Sequence, residues 1–113
     1  MSILTIPAAW VPIGNAQIST IAAATELTDT PDQGIALPAS ADTAIIYVSG
    51  QAVHMSFDGG AATTADALYP VSNFLVMENN RDALVGMSVI ESAASGRLDV
   101  WYYNVSGRGR TNA

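Results

Sequence analysis

Short stretches in which apolar and polar residues alternate dominate the second half of the 113-residue chain. In the segment QAVHMSF, Val53, Met55 and Phe57 point to one face of an extended strand, while His54 and Ser56 point to the other. A period of two is typical of a half-buried β-strand, because successive side chains leave a strand on opposite sides. We therefore predict strands that bury one face.

The same pattern predicts four more strands, which short turn-like segments separate. They are residues 44–50 (AIIYVSG), 73–79 (NFLVMEN), 83–92 (ALVGMSVIES) and 97–104 (RLDVWYYN). Many short strands of this kind indicate an all-β domain. We predict an antiparallel β-sandwich with jelly-roll-like connections, and a small barrel is the alternative.

The first half of the chain has a weaker pattern. Residues 16–27 (AQISTIAAATEL) have an apolar spacing that suits a weak helix, but their threonines and the lack of a helix cap favour a strand or an extended arm. The segment TDTPDQGIALP, residues 28–38, predicts a loop with Pro31 and Gly34, followed by a short strand at 35–37. We predict one domain, residues 1–113, with an N-terminal arm and first strands over about 1–40 and a flexible tail over 105–113.

Charge is scarce and mostly negative. Charged residues make up 12% of the chain, which is about half the usual fraction. The chain has no lysine, and up to Asn104 ten acidic residues face two arginines, so this part carries a net charge of −8. Nucleic-acid binding is disfavoured, because affinity for phosphates depends on clustered lysine and arginine.

Cysteine is absent, which removes disulfides, thiol catalysis and the common zinc sites. The N-terminal segment MSILTIPAAW lacks the basic start of a signal peptide, and Pro7 interrupts its apolar run. No apolar stretch approaches the roughly 18 residues that span a membrane. The sequence therefore predicts a soluble protein that is made in a cytoplasm and has no membrane partner.

The residue patterns do not favour catalysis. His54 is the only histidine, and a general base needs a nucleophile and an orienting carboxylate beside it. The serines do not fit G-x-S-x-G, since GMSVI lacks the second glycine. Asp99 and Glu91 lie on neighbouring predicted strands, but scattered acids often meet by chance. We predict that the chain is not an enzyme.

Acidic loops are the best metal candidates, because calcium binds oxygen ligands alone. Asp29 and Asp32 share one loop, and Asp58 and Asp66 flank another. Neither loop has the spacing D-x-[DN]-x-[DN]-G, so we predict no metal and no cofactor. The stretch SFDGGAATT, residues 56–64, has no basic residue or following helix for a phosphate loop. Its Asp58-Gly59 pair predicts a hairpin turn with positive φ at the glycine.

Aromatic residues suggest a partner surface. Alternation places Tyr102 with the core residues of the last strand, and it places Trp101 and Tyr103 on the opposite face. Tryptophan and tyrosine are enriched at interfaces, although a sugar-stacking platform is the alternative. The candidate interface residues are Trp10, Trp101, Tyr103, Arg108 and Arg110.

The order of motifs in residues 44–103 resembles a known family. A strand runs into a D-G turn (AIIYVSGQAVHMSFDGG), AATT and ALYPV follow, then the strand FLVMEN, and the segment closes on LVGMSVIESAASGRLDVWYY. This order is similar to that of small β-sandwich virion proteins of tailed bacteriophages. Ala62-Thr63 stands where those proteins commonly have P-T, and the first 40 residues are outside the resemblance.

The resemblance implies a non-enzymatic structural protein of the virion, most like a capsid decoration or cement protein. A neck, tail or fibre component with a carbohydrate-binding or receptor-binding module is the alternative that it leaves open. Such proteins dock on the shell as symmetric oligomers. The implied partners are therefore the major capsid protein or other virion proteins, and further copies of the chain in a dimer or trimer.

Overall fold

The computed structural model describes residues 6–7, 9–19 and 21–106, and within them the chain forms nine β-strands and one short helix. In chain order the elements are β1 (Val11–Ile18), β2 (Thr25–Glu26), β3 (Gln33–Gly34), β4 (Thr43–Ser49), β5 (Val53–Ser56), β6 (Ala67–Tyr69), β7 (Asn73–Met77), α1 (Arg81–Gly86), β8 (Ser88–Glu91) and β9 (Arg97–Asn104). The predicted all-β class is confirmed.

The strands form two antiparallel sheets. One has the order β3-β1-β9-β4-β7 and the other has the order β2-β8-β5-β6. With the two-residue β3 set aside, each sheet has four strands, and the chain crosses between the sheets at nearly every connection. This arrangement is a sandwich with jelly-roll connections, as predicted.

The main apolar core lies between the sheets. β9 contributes Leu98, Val100 and Tyr102, all fully buried, and β5 contributes Val53 and Met55. These five residues occupy alternate positions, so the predicted inward faces of both strands are confirmed. Residues 97–104 form one strand with the predicted bounds.

The main difference from the predictions lies at residues 81–86, where a helix replaces the first part of the strand expected at 83–92. Asn80 caps this helix, because its side chain accepts a hydrogen bond from the Ala83 backbone N–H at 3.1 Å. Leu84 turns into the core from the middle of the helix. The strand β8 begins only at Ser88.

The first half is extended, as the favoured interpretation predicted. β1 lies between β3 and β9, and its Ala16 and Ile18 are buried in the core. The short strand expected at 35–37 lies earlier, at Gln33–Gly34, because these two residues pair with Gln17 and Ala16. Ile35 adds one hydrogen bond, from its backbone N–H to the Asn15 carbonyl at 3.0 Å.

The C-terminal end of β9 is anchored. Val105 and Ser106, which the prediction placed in the flexible tail, both donate hydrogen bonds to the Asp42 carboxylate. These hydrogen bonds tie the first two residues of the predicted tail to the start of β4. The rest of the predicted tail, 107–113, lies outside the described residues, as do 1–5, 8 and 20 of the predicted N-terminal arm.

The SFDGGAATT stretch is a turn in a longer loop. Gly59 has φ +88°, as predicted, but the connection between β5 and β6 spans residues 57–66 and is not a tight hairpin. The Asp58 carboxylate accepts a hydrogen bond from the Gly60 backbone N–H at 2.9 Å, and the Ser56 hydroxyl donates to the Gly60 carbonyl at 2.8 Å. Polar groups within the stretch therefore hold the turn in its conformation.

Candidate interaction surface

Two rows of side chains cross the outer face of the five-stranded sheet. Residues paired across neighbouring strands share a face, so the register of β1, β9, β4 and β7 defines each row. The first row is Asn15, Trp101, Ile45 and Val76, and the second is Gln17, Asp99, Tyr47 and Phe74. Both rows change from polar at β1 to apolar at β7.

The apolar end of these rows is open to solvent. The exposed fractions are 38% for Trp101, 40% for Phe74 and 42% for Val76. Ile6, which precedes β1, is 42% exposed and lines the same surface. We call these four exposed residues, together with Ile45, which is buried and lines the cavity beside them, the apolar face.

A shallow cavity of about 240 Å³ opens in the apolar face. Its lining consists of Ile6, Ile45, Phe74, Trp101 and Tyr103. The Phe74 ring also contacts the Tyr47 ring, with a centroid distance of 4.7 Å and an interplanar angle of 45°. Apart from the Trp101 indole N–H and the Tyr103 hydroxyl, the lining side chains have no polar group, so the cavity suits an apolar side chain of a partner.

Trp10 and Tyr103 support the apolar face. Their ring centroids are 5.6 Å apart, and together with Ile45 they form a small cluster separate from the main core. Each has less than a tenth of its surface exposed. Of the predicted interface residues in the described part of the chain, Trp101 is thus the exposed one, whereas Trp10 and Tyr103 are buried and pack against each other. Arg108 and Arg110 lie outside the described residues.

An ion pair borders the apolar face on β9. Arg97 Nη2 lies 3.0 Å from Asp99 Oδ1. An exposed pair of this kind contributes less than about 1 kcal/mol to stability. Its consequence for the surface is that the two charges cancel, so the outer face has little net charge despite the acidic composition.

The residues considered for catalysis do not come together. His54 lies on β5, in the other sheet, with its Nδ1 2.8 Å from the Asp66 carbonyl oxygen. Glu91 and Asp99 lie in different sheets: the Glu91 carboxylate accepts a hydrogen bond from the Gly96 backbone N–H, and Asp99 pairs with Arg97. The two carboxylates therefore do not face each other across neighbouring strands.

The acidic loops use their carboxylates to hold the backbone. Asp29 accepts from the Glu26 N–H at 2.8 Å, Asp32 from the Ser19 N–H at 2.6 Å, and Asp66 from the Thr63 N–H at 2.8 Å. Within residues 6–7, 9–19 and 21–106, no three potential metal-binding side chains form a cluster.

A more polar cavity, about 360 Å³, lies between the start of β4 and α1. Its main polar groups have partners: Arg81 Nη1 donates to the Pro38 and Ala41 carbonyls, and the Asp42 carboxylate accepts from Thr43, Val105 and Ser106. Burial would raise the pKa of Asp42, but hydrogen bonds from Ser106, Val105 and Thr43 outweigh it and lower this pKa. These groups hold the fold together.

Sequence analysis did not identify Ile6, Phe74 and Val76 as exposed residues, and it did not identify Ile45 as part of the cavity lining. The available signal was the unbroken apolar run of residues 74–77, since such a run predicts that both faces of a strand are covered. In the structure Leu75 and Met77 pack on the core, whereas Phe74 and Val76 remain exposed. Phe74 and Val76 therefore form the side of β7 that no other described residue covers.

None of the helices in the described part of the chain has the length and apolar character needed to cross a bilayer. Comparison of the chain with models of protein families, with curated proteins and with solved structures gave no match.

Proposed function

We propose that this chain is a non-enzymatic structural protein of a bacteriophage virion, a decoration or cement protein that docks on the capsid shell. The resemblance of residues 44–103 to small virion proteins supports this proposal. Jelly rolls occur in viral capsid proteins, but also in lectins and cupins. Because a fold alone does not select a function, the argument depends on the surface.

The apolar face is the observation that carries the proposal. Exposed apolar surface that is contiguous and has a polar border marks sites of protein contact. Here Trp101, Phe74 and Val76 form such a surface beside the Arg97–Asp99 ion pair and the polar side chains of β1. Tryptophan is among the residues that most often dominate binding energy when a partner covers them.

The mechanism is burial of this surface against a shell subunit. Covering apolar area is favourable by about 25 cal/mol per Å², so a covered Trp101 contributes on the order of 2 kcal/mol. A shell presents many equivalent sites. The proposed protein therefore stabilises the shell by adding one such contact at each site.

The alternative is a neck, tail or fibre component that binds a carbohydrate or receptor. An open Trp101 ring is compatible with sugar stacking. A sugar site also needs several polar groups that fix the orientation of the ligand. The cavity offers two such groups, on Trp101 and Tyr103, so the apolar face favours a protein partner.

The test is cosedimentation of purified protein with phage shells that were assembled without it. We expect the wild-type protein to bind, and we expect Trp101→Glu to weaken binding by at least tenfold. The matched control is Leu68→Glu, on β6 of the other sheet, because Leu68 is also an exposed large apolar residue. Circular dichroism and thermal melting verify that both variants fold.

Two results would overturn the proposal. One is a wild-type protein that does not bind shells at any concentration tested. The other is a wild-type protein that binds glycans on an array and loses this binding in Trp101→Glu, which would assign the surface to the carbohydrate-binding alternative.

A further inference from the structure

The edge strands of the two sheets differ in how they are protected. In the described part of the chain, β2 and β3 have two residues each, and β6 has three residues between Asp66 and Pro70. Short length, charge and proline are the usual means of preventing contact between sheet edges. β7 has five residues and contains neither charge nor proline.

The unprotected edge is continuous with the apolar face. Phe74 and Val76 of β7 point outward beside Tyr47 and Ile45 of β4. An uncharged edge with unpaired backbone groups is a template for another strand. The structure thus combines an open edge and an exposed apolar surface at one place.

We propose that β7 pairs in antiparallel orientation with β7 of a second copy, around a two-fold axis at Leu75. In this register Phe74 faces Val76 of the second copy, and Val76 faces its Phe74. Aromatic side chains paired with β-branched ones stabilise antiparallel strands. The sequence of β7 is therefore complementary to itself, which an isologous two-fold interface requires.

The register also separates the nearest negative charges. Glu78 follows β7 directly, and it would face Ser72 of the second copy. The two Glu78 residues would then lie about 20 Å apart, given a rise of about 3.3 Å per residue. This separation exceeds the screening length of about 8 Å at physiological salt, so the acidic charge does not oppose pairing at this edge.

Pairing of the edges would join two sheets into one and place the two apolar faces side by side. The inference deepens the proposed function, and it rests on that function only for the use of the joined faces as one docking surface. The dimer itself needs no shell. β7 is only about 17 Å long, so the interface is smaller than the usual 800 Å² per partner. We therefore expect a weak, concentration-dependent dimer.

The first test is sedimentation velocity of the purified full chain from micromolar to millimolar concentration. We expect the wild-type protein to change from monomer to dimer with rising concentration. Val76→Lys places a charge at the edge and should weaken the dimer by at least tenfold. Leu68→Lys, at the β6 edge, is the matched control and should leave the dimer unchanged. Thermal melting verifies that both exposed positions tolerate lysine.

The second test measures the register, and the absence of cysteine makes it direct. The Phe74→Cys and Val76→Cys variants are mixed and mildly oxidised. Facing positions have Cβ atoms about 4.5–5.5 Å apart, whereas diagonal ones are about 7–8 Å apart. We expect the disulfide between the two different variants to form at least tenfold faster than either disulfide between identical chains, as followed by mass spectrometry.

A monomer at every concentration together with no preference for the mixed disulfide would overturn the inference. If such a monomer still binds shells, the proposed function stands and the β7 edge belongs to the shell protein. If the dimer forms but no shell binds, the dimer stands and the proposed function fails. The two proposals can therefore fail separately.

Discussion

Asp42 binds Ser106 across 64 positions of the chain: its Oδ2 accepts a hydrogen bond from the Ser106 backbone N–H at 3.0 Å and a second from the Ser106 hydroxyl. Oδ1 accepts from the Val105 N–H and from the Thr43 hydroxyl, each at 2.9 Å. Asp42 directly precedes β4, and Ser106 follows the end of β9. One carboxylate thus holds the start of β4 against the residues that follow β9, the neighbouring strand in the larger sheet.

Asp42→Asn should lower the free energy of unfolding by about 2–4 kcal/mol at pH 7. Hydrogen bonds to a charged acceptor contribute about 1.5–3 kcal/mol each. The asparagine amide oxygen can still accept some of these bonds, so the loss is smaller than their sum. The lowered pKa of Asp42 means that its contribution is present above the ordinary aspartate pKa of about 3.9 and is lost as the pH falls through the lowered value. Urea unfolding at pH 3 to 7 measures the difference between the two proteins, which should shrink on acidification.

The control for this substitution is Asp82→Asn, at an exposed position in the first turn of α1. A charge there acts mainly on the helix dipole, so the expected loss is less than about 1 kcal/mol. Equal losses in the two variants, or a difference that does not change with pH, would contradict the assigned role of Asp42.

Local patterns predicted the strands well but could not predict this anchor. Alternation identifies Leu98, Val100 and Tyr102 as the inward face of β9, because burial on one side of a strand follows directly from a period of two. The bond between Asp42 and Ser106 depends on where β4 and β9 lie in the sheet. That placement follows from the sheet order and not from any local pattern.

Residues 81–86 show why one element was predicted wrongly. A helix of six residues contains fewer than two turns, so its apolar positions do not establish a period of 3.6. The available signal was Asn80 as a cap followed by Asp82 in the first turn. Likewise, the apolar residues 74–77 predicted a strand. That this strand lies at the edge of the sheet follows from the order of the strands, which the local sequence does not reveal.

Gly50 and Gly59 offer a matched test of backbone strain. Both have positive φ, +75° and +88°. A Cβ at Gly50 would lie 2.0 Å from the Ser95 carbonyl oxygen, whereas at Gly59 no heavy atom of the described residues lies within 4 Å. Gly59→Ala should therefore cost about 1–2 kcal/mol, from conformation alone.

Gly50→Ala should cost about 3 kcal/mol or more, because the added methyl group must also displace the backbone at Ser95. Denaturant unfolding of both variants measures the two losses. The informative quantity is the difference between the two losses of unfolding free energy. If Gly50→Ala loses no more than Gly59→Ala, the β4–β5 corner does not approach the β8–β9 connection this closely in solution.

Tyr102 lies fully buried in the core, and burial raises its pKa to about 12. Its hydroxyl has no hydrogen-bond partner among the described residues, so Tyr102→Phe should change stability at pH 7 by less than about 1 kcal/mol, and in the stabilising direction.

The unfolded chain ionises its tyrosines near pH 10. Stability contributed by neutral Tyr102 is therefore present below pH 10 and is lost as the pH rises towards 12. By pH 11.5 the wild-type protein should lose about 2 kcal/mol more than the variant. Urea unfolding from pH 8 to 11.5 measures this gap, with Tyr69→Phe, at a partly buried position of β6, as the control. Parallel loss of stability in the wild-type and Tyr102→Phe proteins would show that the Tyr102 hydroxyl is hydrated or bonded in the folded state.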